Sequence, residues 1–235
     1  MAFPAHPPDW PKLRRSVGSC IRPGGTLLTD QALELCNLAA GSRIADIGCG
    51  AGETLLHLER TGRYNLLGVD FSEALLDEAA TRLESVRLVH GRAETLPFEK
   101  GAFDALLCEC VLSILDDRIA PLTEFFRVLK GGGFLIISDV FSKAGDGGGG
   151  LLTRKELHDL LAGLGFTLLL WETHDRALKE FAVRMILAGE ELSEWWGCGE
   201  REDGSKIVRS DIGYFLLVAR KAVNGNGTGE QSWTP

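Results

Sequence analysis

The 235-residue sequence has no apolar run approaching the length of a membrane span, and its opening stretch, MAFPAHPPDWP, lacks the apolar core of a secretory signal. A cytoplasmic protein without a membrane span is the expectation. Positive charge is also in short supply: 25 Lys and Arg stand against 33 Asp and Glu, a formal net charge of −8. Such a field repels a polyanion, so nucleic acid is not the expected partner. No Gly-Lys-Ser/Thr phosphate loop and no internal repeat occur. Tyrosine is nearly absent, and Tyr64 and Tyr214 both fall in or beside expected strands, where a structural role is expected. Six cysteines are present, which a reducing compartment keeps as thiols. Nothing in the pattern sets an oligomeric state.

What is there is an ordinary globular balance, 45% hydrophobic and 25% charged, enough for one domain or one domain with an insertion. Residues 1–24, rich in Pro and Gly, read as an irregular N-terminal arm. A helix is expected over 30–38. Short apolar runs at 43–47, 65–69, 86–89, 103–107 and 134–137 read as strands buried on both faces, with helical patterns at 54–61, 72–84 and 117–130 between them. This alternation predicts an α/β, Rossmann-like doubly wound fold with a mostly parallel sheet. A glycine loop at 145–150 precedes a helix over 153–164 and a strand over 166–171. A long helix over 176–196 follows, with an apolar stripe through Leu178, Phe181, Met185, Leu187 and Leu192. Ile212–Ala219 closes the pattern as a last strand. The domain is then 25–221, with a lid-like insertion at 176–211 and a disordered tail at 222–235.

The sharpest local signal is Asp46-Ile-Gly48-Cys49-Gly50-Ala-Gly52-Glu53, where a buried strand turns into a helix. Glycines there let the backbone approach a ligand, and a helix N-terminus presents free N–H groups. A dinucleotide fingerprint beginning at Gly48 needs glycine at position 53, which is Glu53, so pyrophosphate is disfavoured. The Asp46 carboxylate suits a cation. The next strand ends in Asp70, placed to accept both hydroxyls of a ribose, so one ligand can span both acids.

These blocks resemble the class I S-adenosylmethionine-dependent methyltransferases of the small-molecule type, and are similar to the ubiquinone-biosynthesis enzymes. The resemblance covers about residues 28–140. Asp46–Gly52 corresponds to the cofactor loop, Gly68–Ser72 to the ribose block and Gly91–Phe98 to the adenine block. Phe103-Asp104 precedes the fourth strand and Arg127–Gly133 the fifth. The resemblance implies S-adenosylmethionine as cofactor, with Gly48, Cys49 and Gly50 in its loop. It also implies Phe71 against one face of the adenine, Ala93 and Glu94 beside it, Cys108 near the cofactor, and a final antiparallel strand at 212–219. Arg92 stands where the family often has Asp. Asp104 and the glycines at 131–133 read as fold-forming.

The expected acceptor is a small molecule. The amino-methylating enzymes of nucleic acid carry Asn/Asp-Pro-Pro-aromatic after strand four, whereas this chain has Cys108-Glu-Cys-Val111. Three separated segments each bring a thiol, Cys20, Cys110 and Cys198, an arrangement similar to that of arsenite methyltransferases, which hold trivalent arsenic. Soft thiolates suit a soft acceptor whose lone pair needs no base. The bland reading, three small buried hydrophobes, stands beside it. For an oxygen, nitrogen or carbon acceptor, Glu109 and His174 are the acid–base candidates. Cys36 reads as helix core, and Trp195 and Trp196 as anchors of the insertion. No resident metal site is expected. Two other classes remain open: a non-catalytic thiol-bearing metal or metalloid module on this fold, and a nicotinamide oxidoreductase, against which Glu53 counts.

Overall fold

The computed structural model describes residues 20–144, 151–189 and 211–223. The expectations for most of the arm, for Leu192, Trp195, Trp196 and Cys198, for the glycine loop and for the tail from 224 on lie outside the described residues.

Among the described residues seven strands form one sheet. In chain order they are β1 (Arg43–Ile47), β2 (Asn65–Asp70), β3 (Arg87–His90), β4 (Phe103–Glu109), β5 (Leu129–Ser142), β6 (Phe166–Thr173) and β7 (Ile212–Lys221). They lie in the order β3-β2-β1-β4-β5-β7-β6, with β1 to β5 parallel and β7 inserted antiparallel between β5 and β6. This is the doubly wound, mostly parallel α/β sheet that the alternation of patterns predicts. β1 leads outward to β2 and β3, and the chain then returns to β4 on the other flank of β1. The strand order therefore reverses between β1 and β4, where an open α/β sheet has a crevice at its carboxyl edge.

Helices α1 (Leu27–Cys36), α2 (Glu53–Glu59), α3 (Glu73–Ala80), α4 (Ile119–Val128), α5 (Arg154–Leu164) and α6 (Asp175–Leu187) cover the faces. α1 buries Leu28, Ala32, Leu33 and Cys36 on one stripe and stops at Asn37, whose φ of 45° is left-handed. α5 begins with a complete capping box, Thr153 with Glu156, and ends at Gly165 with φ +95°. One face of the sheet packs Ile44, Leu107, Ile136 and Leu216 under α1 and α6. The other packs Leu106, Cys108, Ile137 and Leu217 under α4 and α5. Strands covered on both faces explain why their sequences read as continuous apolar runs.

Two expectations need correction. Leu178, Phe181 and Met185 are buried as a stripe of α6, but Leu187 is 82% exposed. Two residues beyond Met185 is about 200° round the helix, which turns that side chain outward. The glycines of 131–133, expected to precede the fifth strand, already belong to β5, with a register irregularity between Phe103 and Ala105. A Cβ on Gly133 would come within 3.0 Å of the Asp104 and Lys130 carbonyls, so glycine permits the strand to run there. Asp104 is fold-forming: it accepts from the Arg43 amide at 2.9 Å and from Lys130 Nζ at 2.7 Å. Among the described residues no helix is long and apolar enough to cross a membrane.

Candidate functional site

Asp70 ends β2 and Asp46 is the last residue but one of the adjacent β1, both nearly inaccessible to solvent. Asp70 is the organiser. One carboxylate oxygen accepts the Gly50 amide at 2.7 Å and the other accepts the Ser72 amide at 2.9 Å. The amides of Gly48 and Cys49 both donate to the Val69 carbonyl, so the tip of β2 holds the whole loop that follows β1. Gly48, Gly50 and Gly52 have φ of +79°, +53° and +78°. At Gly48 a Cβ would lie 2.2 Å from Val111 Cγ2, so this position admits glycine alone.

Asp46 is the opposite case. Among the described residues nothing hydrogen-bonds its carboxylate, and the groups that act on it do so through charge: Arg22 and Asp70. Burial, reinforced by Asp70 and opposed by Arg22, pushes it from 3.8 up to about 7. A buried acid with no donor among the described residues suits a cationic group.

Phe71 follows Asp70 and is 65% exposed, an aromatic face left open beside the acid. Its carbonyl pairs with the His90 ring at 2.9 Å, fixing the turn. Ala93 and Glu94 lie in the loop after β3, Ala93 buried and Glu94 within 3.4 Å of Arg92. That loop is tied down by α4: Arg127 donates to the Phe98 and Leu96 carbonyls, and Glu124 accepts the Leu96 amide at 2.7 Å. Cys49 is buried against the loop, and its thiol is pushed well up by burial and then by the two aspartates. Cys108 is fully buried in the core beneath β4.

Glu109, at the end of β4, spends both oxygens inside the protein. Thr29 Oγ1 of α1 donates to Oε1 at 2.8 Å, Thr54 Oγ1 of α2 donates to Oε2 at 2.9 Å, and Arg22 forms an ion pair with the same Oε2. His174 precedes α6, and its Nε2 is buried without a hydrogen-bond partner, 3.9 Å from a Glu172 oxygen. Its backbone amide donates to the Tyr214 carbonyl at 2.7 Å, but no side-chain bond joins it to Asp46, Glu109 or Cys110.

Cys110 follows Glu109 with a φ of 57°, a left-handed conformation uncommon for a side-chain-bearing residue. Its sulfur lies 3.2 Å from the Tyr214 hydroxyl, which donates onward to Ser138 Oγ at 3.1 Å. Burial first, and Asp139 second, push this thiol up to about 12. Cys20 is raised by burial too, against the lowering effect of Arg22, whose guanidinium donates to its sulfur. Cys20 and Cys110 are near enough to interact electrostatically. A cleft of about 840 Å³ opens beside Cys20, with Leu27, Glu53, Val183 and Arg184 among its walls. Among the described residues no group of three or more His, Cys, Asp or Glu side chains could hold a metal ion.

Arg22, Thr29 and Thr54 are members of the site that sequence reasoning missed, and Tyr214, expected to be structural, also supports the Cys110 thiol. Only Arg22 carried a visible cue, a cation two residues from a thiol in the arm that the cysteine pattern already marked.

Residues 45–137 match the family model described as a methyltransferase domain. A demethylmenaquinone methyltransferase from Staphylococcus saprophyticus is 34% identical over 105 residues, covering 43% of this chain and 45% of its own. The chain spans about half the length of the curated relatives it matches. Of solved structures, the cyclase SpnF aligns with a TM-score of 0.67 and 27% identity, over 84% of this chain and 80% of its own. Phosphoethanolamine N-methyltransferase 2 of Haemonchus contortus, solved with phosphomonomethylethanolamine and S-adenosylhomocysteine, has a TM-score of 0.72 at 17% identity, over 91% of this chain and 57% of its own. At that identity the likeness carries the fold.

Proposed function

For a chain whose residues 45–137 match the model of a methyltransferase domain, we propose that the protein binds S-adenosylmethionine and transfers its methyl group to a small-molecule acceptor. The observation that carries the reading is the pairing of two strand-tip acids with unlike surroundings. Asp46 is buried with no hydrogen-bond donor among the described residues, and Asp70 is engaged with the loop.

The residues fit the cofactor. Asp46 takes its ammonium group. The Asp70 oxygens each accept one backbone amide and keep lone pairs for the ribose hydroxyls. Gly48, Cys49 and Gly50 let the backbone lie close, Phe71 stacks on the adenine, and Ala93 and Glu94 border its edge. Cys108 packs beneath the pocket. When bound, S-adenosylmethionine supplies a methyl group on a positively charged sulfur, ready for in-line displacement. The protein's part is orientation and exclusion of water.

For the acceptor, the finer reading is a soft, thiophilic centre such as trivalent arsenic. It is supported by Cys20 and Cys110, which interact electrostatically at the sheet edge beside the cleft. Cys198 is its third thiol in sequence. Such an acceptor brings its own lone pair and needs no general base, in keeping with a Glu109 whose oxygens are both occupied and a His174 without a bonded partner.

The test supplies labelled S-adenosylmethionine with candidate acceptors, trivalent arsenic among them, and measures S-adenosylhomocysteine and methylated product for wild type and Cys110→Ser. Loss of arsenic methylation in the variant supports the thiol reading, and equal turnover removes it. Arsenic binding with no S-adenosylhomocysteine formed on any acceptor would favour a non-catalytic thiol module. That SpnF is a cyclase makes this product measurement necessary.

A further inference from the structure

Arg22 is buried, and its guanidinium is held from three directions. Nε donates to the Gly25 carbonyl at 3.1 Å, Nη2 donates to Thr29 Oγ1 at 2.8 Å, and Nη1 pairs with Glu109. Thr29 and Thr54 close the cluster by donating to the two oxygens of the same carboxylate. Four elements therefore meet on one ion pair: the segment before α1, α1 itself, the start of α2 and the end of β4. Taking such a pair out of water is costly, and an apolar pair of similar volume would often serve stability as well. Its position suggests what it is for. Asp46 lies beside Leu107 in the sheet register, and Leu107 and Glu109 alternate onto the same face of β4. The guanidinium that Glu109 holds thus lies on the face of the sheet that carries Asp46.

We propose that Arg22, anchored by Glu109, is a positioning residue for cofactor binding, keeping the Asp46 carboxylate in the charged state that receives the ligand's ammonium group. The inference rests on the cofactor reading above. It makes Glu109 the anchor of a cation rather than a carrier of protons. The charged groups acting on Asp46 are Arg22 from the arm and Asp70 from β2, and Asp46 in turn raises the neighbouring thiols Cys49 and Cys108. Arg22 is the cation of this set. Removing it raises the pKa of Asp46, and loosening its Glu109 anchor acts in the same direction.

The experiment is calorimetric titration of S-adenosylmethionine into the full chain across pH. Wild-type affinity is expected to fall about tenfold per pH unit below a midpoint near pH 7. Arg22→Gln moves that midpoint up by about one unit, weakening binding about fivefold at pH 7, and Arg22→Lys restores the wild-type midpoint. Glu109→Gln, which loosens the anchor of Arg22, moves it up as well, and this second arm carries the test if Arg22→Gln does not fold. A folded Arg22→Gln protein with the wild-type midpoint overturns the inference, as does a Glu109→Gln midpoint that stays put. If wild type takes up no S-adenosylmethionine at any pH, the cofactor reading itself fails. A normal wild-type profile that the variants leave unmoved sinks only the role of Arg22.

Discussion

The Gly50 amide donates to the Asp70 carboxylate at 2.7 Å, so the acid at the tip of β2 holds in place the loop that leaves β1. On the cofactor reading, loop shape and ligand binding are coupled through this one side chain. Asp70→Ala should therefore weaken S-adenosylmethionine by about 1 to 3 kcal/mol, through charge-assisted hydrogen bonds lost to both loop and ribose. Calorimetry measures the affinity. Asp70→Asn, which keeps one acceptor oxygen, should fall between wild type and alanine.

Asp46 gives a pH dependence with a definite sign. Its carboxyl is pushed from 3.8 up to about 7, chiefly by burial. Within that window the unfolded chain releases a proton that the folded chain keeps. The stability contributed by Asp46 is thus full below the lower value and is lost as pH rises through the upper one. Asp46→Asn should therefore gain thermal stability over wild type more at about pH 8 than at about pH 4, read as the difference in Tm. Cofactor affinity in wild type runs the other way and rises with pH, because the ionised acid is the binding form.

Gly48 is constrained twice, by a φ of +79° and by Val111 Cγ2, which would lie 2.2 Å from any Cβ at this position. Gly48→Ala should cost about 1 to 3 kcal/mol of stability and most of the ligand affinity. Adding Val111→Ala removes the clash and leaves the backbone strain. The double variant should recover part of the Tm and little of the binding.

Phe71 separates binding from folding. At 65% exposure its ring contributes little to the core, so Phe71→Ala should leave stability within about 0.5 kcal/mol of wild type, read from the Tm. The affinity for S-adenosylhomocysteine should nevertheless drop by about 1 kcal/mol, the scale of one aromatic stacking partner.

The frame of the molecule was legible because its signals are local. β1 runs over Arg43–Ile47 as expected, since a strand buried on both faces is a bare apolar run and its glycine loop marks where it ends. The two acids could be paired from sequence because each lies at the end of such a run or one residue short of it. Arg22 and Glu109 could not be, because their union is made only when the segment before α1 folds back across β4, and neither residue lies in a periodic pattern. The surroundings of Glu109 were hidden for the same reason: Thr29, Thr54 and Arg22 engage its carboxylate only once the chain has folded. Leu187 failed on geometry closer at hand, since apolar character extended the α6 stripe by one residue that the helical turn points into solvent.

The central claim is that Asp46 receives the cationic end of an adenosylated amino acid. Its most direct measurement is the heat of S-adenosylmethionine binding to wild type and to Asp46→Asn at about pH 8, where the acid is ionised. The prediction is clear binding by wild type and at least about tenfold weaker binding by the folded variant. Equal affinities, or no heat from wild type, would contradict it.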